Sequence, residues 1–266
     1  MRYLIVLLTT VLLTTPAVAA VGEWFRGDGV KLRLVSLRDA SNGTIRAGLH
    51  IVLEPGWKTY WRSPGSSGLP PQLDFSRSQN VAKADIAFPT PIAFGEGTGL
   101  TSGYSGEVVL PIAVETIFSD RNVVLSLQGL MGVCEDVCVP MQFTTELTDR
   151  VDGGSSLEAA QLLARAEASL PTPATDAVSV TSAKAKAGKL VVTATLPADA
   201  NHVTLFLEGP VSWYLAPETP TRLENGSAEF SVTLPRGIQP DAARGEALRA
   251  TLAVDGRGYE QAITVE

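Results

Sequence analysis

Apolar and polar residues alternate with period two along Val30-Lys31-Leu32-Arg33-Leu34-Val35-Ser36-Leu37, the pattern of a strand with one face buried and one wet. Thr44 to Glu54 repeats it after the turn-forming pair Asn42-Gly43, so the two runs read as an antiparallel hairpin. Val108 to Val114 and Val123 to Leu130 read as further strands, joined through Phe118-Ser119-Asp120-Arg121-Asn122, and Met141 to Leu147 resumes the strand pattern. Between these runs, Phe94 to Gly106 carries glycine too often for a regular element and reads as a loop.

The pattern changes at Val151. Ser155-Ser156-Leu157-Glu158 fits a capping box, and Leu157, Leu162, Leu163 and Leu170 among alanines read as one helix. Pro171-Thr172-Pro173-Ala174-Thr175 ends it as a linker. Strand signals then return at Val178–Ser182, Leu190–Leu196, Val203–Leu207, Ala228–Leu234, Leu248–Val254 and Tyr259–Val265, with Asp255-Gly256 as a hairpin turn. Short strands separated by glycine and proline turns predict an all-β chain of two β-sandwiches. The expected boundaries are a first sandwich over 21–150, a helix and linker over 151–175, and a second sandwich over 176–266.

The N-terminus departs from this periodicity. Arg2 precedes an apolar run from Tyr3 to Leu13, which ends in Ala17-Val18-Ala19-Ala20. A basic end, a short apolar core and a small-residue site describe a secretory signal peptide over 1–20, too short to span a bilayer. The mature chain is therefore expected to be periplasmic and to cross no membrane. Loss of Arg2 takes the formal charge from −7 to −8. An acidic exported chain without a basic block offers no electrostatic basis for nucleic-acid binding.

Export bears on Val133-Cys134-Glu135-Asp136-Val137-Cys138-Val139-Pro140, which holds both cysteines of the chain. Their spacing leaves three uses open: a redox pair, a structural disulfide or two metal ligands. Four residues of extended strand cover about 13 Å, whereas bonded cysteines keep their Cα atoms within about 7 Å, so a bond requires a tight or helical turn at Glu135-Asp136-Val137. Such a small ring stabilises by only about 2 kcal/mol, against about 4.7 for a loop of 100 residues. Glu135 and Asp136 place negative charge beside the sulfurs, which disfavours a resting thiolate and casts the pair as a disulfide that a partner's thiolate attacks. Bound Cu(I) is the competing use, with Met131 and Met141 as extra thioether ligands.

Trp57, Tyr60 and Trp61 stand close together in Glu54-Pro55-Gly56-Trp57-Lys58-Thr59-Tyr60-Trp61-Arg62. Packing is the ordinary use of such aromatics, and a rim beside the cysteines is the functional one. His50, within a strand, and His202 read as structural, and Trp213 and Tyr214 as packing residues. The sequons at Asn42 and Asn225 read as turns.

Taken with Gly65-Ser66-Ser67-Gly68-Leu69-Pro70-Pro71, these motifs make roughly residues 25 to 150 resemble the N-terminal periplasmic domain of DsbD-type thiol:disulfide interchange proteins, especially the ScsB branch linked to copper tolerance. The resemblance implies an immunoglobulin-like fold, Cys134 and Cys138 as the redox pair, and no cofactor. It implies a thioredoxin-like periplasmic electron donor and oxidised periplasmic proteins as clients. A loop shields the pair in that family; Trp57, Tyr60, Trp61 and Tyr104 are the candidates here. The 266 residues hold no membrane or thioredoxin-like domain, so the chain is expected either to work with separately encoded partners or to be repurposed as a binding or copper-handling protein.

Overall fold

The structure is a computed structural model that describes residues 21–38, 44–95, 97–154, 156–210 and 212–266. The expected signal peptide, the Asn42-Gly43 turn and Ser155 lie outside the described residues.

Eleven strands build the first sandwich: β1 (Phe25–Gly27), β2 (Val30–Arg38), β3 (Ile45–Leu53), β4 (Lys58–Tyr60), β5 (Gln72–Asp74), β6 (Val81–Ile86), β7 (Ile92–Phe94), β8 (Thr101–Ser105), β9 (Glu107–Thr116), β10 (Val123–Cys134) and β11 (Cys138–Asp149). One sheet runs β1-β2-β3-β9-β6; the other runs β11-β10-β4-β8-β7, with β5 also paired to β10. The alternation read in the sequence becomes the core: Leu32, Leu34, Leu49 and Ile51 from one sheet close on Val123, Leu125, Leu127 and Met131 from the other. This is an immunoglobulin-like sandwich.

After it come helix α1 (Leu157–Ala168) and strands β12 (Thr172–Pro173), β13 (Ser179–Lys186), β14 (Lys189–Thr195), β15 (Val203–Glu208), β16 (Arg222–Glu224) and β17 (Ser227–Thr233). A one-turn helix α2 (Pro240–Ala243), β18 (Ala247–Val254) and β19 (Arg257–Thr264) complete the chain. Sheets β12-β19-β18-β15 and β13-β14-β17-β16 enclose a second core centred on Leu190, Val192, Phe230 and Leu252. Asp255-Gly256 makes the β18–β19 hairpin with both residues at positive φ, 46° and 82°, and Asn225-Gly226 does the same between β16 and β17 at 51° and 77°.

Four local readings change. The helix cap is Ser156, whose hydroxyl accepts from the Ala159 N–H at 3.3 Å, and the helix stops at Ala168, short of Leu170. Glu158 does not close a capping box; it pairs instead with the Arg33 guanidinium on β2. Thr172-Pro173 is not a free linker but a short strand parallel to β19. Finally, the glycine-rich stretch after Phe94 contains a strand, β8. Gly103 is required there, because a Cβ would strike the Thr59 carbonyl on the neighbouring strand and lie 2.7 Å from the Phe94 ring.

Candidate redox site

The cysteines do not sit between two strands, as the sequence pattern predicts; they end them. β10 continues past Leu130 to Cys134 and β11 begins at Cys138, so the two are direct cross-strand partners joined by Glu135-Asp136-Val137. The apparent breakers are accommodated within the ladder. Pro140 lies opposite Gly132, and Gly129 leaves the space that the Phe143 ring occupies. Directly opposed residues in an antiparallel pair hold their Cα atoms about 4.5–5.5 Å apart, within the span of a disulfide. Both thiols are free, Cys138 exposed and Cys134 half-buried, and the Cys134 S–H donates to the Glu135 carbonyl at 3.7 Å. The tip is open, with Val137 71% exposed and Val139 42%.

Strand alternation settles the direction of the sulfurs. Val133, Met131 and Leu127 point into the sandwich, so Cys134 points to the outer face of its sheet. Met131 and Met141 are paired with each other three rungs away, both on the inward-facing phase. Their thioethers are thus turned from the cysteine sulfurs, which removes the extra ligands expected for Cu(I). No cluster of three or more His, Cys, Asp or Glu capable of holding a metal occurs among the described residues.

Three residues are placed against the pair by β4 and its neighbours. Lys58 is the cross-strand partner of Cys134 on the side away from Cys138. Its ammonium donates to the Gly56 carbonyl at 3.1 Å and stands 5.7 Å from the Phe94 ring centre. Tyr60, two residues on, is 4% exposed. Its ring lies over Gly132 and under Gly68: a Cβ at either glycine would come within 2.6 Å and 2.8 Å of it. The phenol is close enough to Cys138 and Cys134 to feel their charge. Burial first, and then the two sulfurs, push this phenol far above its ordinary value of 10.0, so it stays protonated. Phe94 closes the group, its ring 5.8 Å from that of Tyr60.

The other expected rim aromatics have different surroundings. Trp57 packs into the space left by Gly29, beside the core of the first sandwich. Trp61 is 1% exposed and meets Phe206 of β15 edge to face at 5.8 Å. Tyr104 is buried and donates its hydroxyl to the Pro89 carbonyl at 2.8 Å. His50 is a satisfied structural histidine: Nε2 meets Glu107 at 2.7 Å and Nδ1 accepts from Arg33 at 3.4 Å. Lys58 and Phe94 are the neighbours that the sequence reading missed. The one trace of Phe94 in the sequence was Gly103, which leaves room for its ring but reads there only as one more glycine of a glycine-rich stretch.

Residues 32–150 match the model of a family described as thiol:disulfide interchange protein DsbD, N-terminal. No curated protein matches the chain. Among solved structures, the N-terminal periplasmic domain of ScsB from Proteus mirabilis is similar with a TM-score of 0.76 and 25% sequence identity, over 93% of this chain and 98% of that one. No helix among the described residues is long and apolar enough to cross a membrane.

Proposed function

From the premise that residues 32–150 belong to the family of DsbD N-terminal domains, we propose that the chain is a periplasmic carrier that passes electrons to oxidised proteins through Cys134 and Cys138. The observation that carries this reading is the pair itself: two free thiols opposed across the tip of a hairpin and open to a partner. A bond meant for stability would gain little in so short a loop and would not stand at an exposed tip.

In the oxidised state, a thiolate of a thioredoxin-like donor attacks Cys138, the exposed sulfur. A mixed disulfide forms and Cys134 leaves as a thiolate, with the protonated Tyr60 phenol nearby. The donor's second thiol then displaces Cys138; the donor ends as a disulfide and the chain as a dithiol, with two electrons and two protons transferred. Oxidation by a client disulfide runs the same steps in reverse. The first sandwich supplies this chemistry; the second sandwich, whose sheets include β12 at Thr172–Pro173, follows α1.

The expected result is that the lone Cys138 thiol of Cys134→Ser attacks the disulfide of an oxidised thioredoxin-like protein and traps a mixed disulfide, one partner sulfur leaving as a thiolate, whereas Cys138→Ser traps little. The wild-type pair should equilibrate with the dithiol form of the same protein. A reduction potential far below about −300 mV would instead mark an inert structural bond. Stoichiometric, tight Cu(I) binding without exchange would support the copper reading.

A further inference from the structure

Tyr60 and Phe94, the rings gathered at the cysteine pair, stand on β4 and β7, strands of three residues each. Strands that short contribute little stability of their own. Each continues directly to an anchor on the second sandwich or the helix before it.

Two residues beyond Tyr60, the Arg62 guanidinium donates to both Glu208 carboxylate oxygens at 2.6 and 2.8 Å, and to Glu260 at 2.7 Å. These carboxylates stand on β15 and β19. All three side chains are mostly removed from water. Trp61 is buried against Phe206 between them. Four residues before Phe94, the Thr90 N–H donates to the Ser169 carbonyl at 3.0 Å, at the end of α1, and the Thr90 side chain fills the space above Gly258 on β19. The loop after Arg62 then turns back over the site. A Cβ at Gly65 would lie 3.6 Å from the Leu215 carbonyl, and Gly68 and Leu69 cover the Tyr60 ring and Gly132.

We infer that the second sandwich is a clamp that holds Tyr60 and Phe94 over the cysteine pair, with Arg62 as its positioning residue. Removing Arg62 would leave Glu208 without its guanidinium and Glu260 with only the Thr251 hydroxyl and the more distant Arg249, and the repulsion of these partly buried carboxylates would open the contact that fixes the end of β4. Lysine keeps the charge but lacks the planar fork that spans two carboxylates.

The inference builds on the exchange reading, but its test needs no exchange partner. In the full chain carrying Cys138→Ser, the rate at which iodoacetamide alkylates the half-buried Cys134 reports how well the site is covered. Tyr60→Ala is expected to speed it several-fold. Arg62→Met should reproduce most of that gain, Arg62→Lys part of it, and Arg62→Met combined with Tyr60→Ala should add little to Tyr60→Ala alone. Glu260→Gln, which removes one bond without stranding a cation, serves as the milder variant and should give a smaller gain in the same direction. A purely structural Arg62 would lower the melting temperature and leave alkylation unchanged; that result, or full additivity with Tyr60→Ala, overturns the clamp. Failure of the wild-type pair to exchange with any dithiol protein would sink the carrier reading alone.

Discussion

Tyr60 meets the two sulfurs because glycines stand where it needs room. A Cβ at Gly132 would come within 2.6 Å of its ring and within 3.0 Å of Leu69. Gly132→Ala is therefore expected to destabilise the chain by about 1–3 kcal/mol through overpacking, measured as a lower urea midpoint. The same variant should change the reactivity of Cys134, since relief comes most readily by moving the ring. A midpoint and a reactivity both equal to wild type would show that the ring does not fill this space. Lys58 adds a cation across the ladder from Cys134, where Glu135 and Asp136 are the acids of the tip. The charge beside the sulfurs is thus more balanced than the motif alone implies.

Among the elements, the β10–β11 hairpin delivers the pair and helix α1 covers the opposite sheet. Under α1, Arg33 of β2, His50 of β3 and Glu107 of β9 form a polar cluster that reaches Glu158 on the helix, with the Trp24 ring 4.1 Å from the Arg33 guanidinium. Burial lowers the pKa of His50 below its ordinary 6.5 and outweighs the pull of Glu107, which acts to raise it. The folded chain thus binds this proton less readily than the unfolded chain. The resulting stability is complete above 6.5 and declines as pH falls through that value toward the folded one. Between about pH 7.5 and pH 5, the wild type should lose more stability than His50→Gln, compared by urea unfolding. Equal losses would show that His50 does not contribute to the acid sensitivity.

At the scale of the whole molecule, the two sandwiches share a core residue. Phe206 belongs by sequence to β15 of the second sandwich, yet it is 1% exposed within the apolar cluster of the first, against Trp61. Phe206→Ala should cost about 3–5 kcal/mol, as large-to-small changes in cores do. It should also weaken the coupling that makes the halves unfold together. Calorimetry is expected to show one transition for the wild type and two for the variant; a single, merely lower transition would show that other contacts suffice to couple them.

Much of this architecture was legible in local pattern. Period-two alternation marked most of the long strands, the composition change at Val151 marked the helix, and Asp255-Gly256 and Asn225-Gly226 marked their turns. Each of these depends on a residue and its near neighbours, where the physics of burial and of positive φ is written directly in the residue type. Cys134 and Cys138 stood out for the same reason, as a close pair with redox chemistry available to it. Tertiary structure alone decided that they end two paired strands, because Gly129, Gly132 and Pro140 look like breakers until Phe143 and Tyr60 occupy the room they leave. It alone chose Tyr60 from four candidate aromatics, brought Lys58 and Phe94 beside it, turned Met131 and Met141 to the other face, and joined Arg62 to Glu208 and Glu260. These partners lie far apart along the chain, and only the packing of sheet on sheet brings them together.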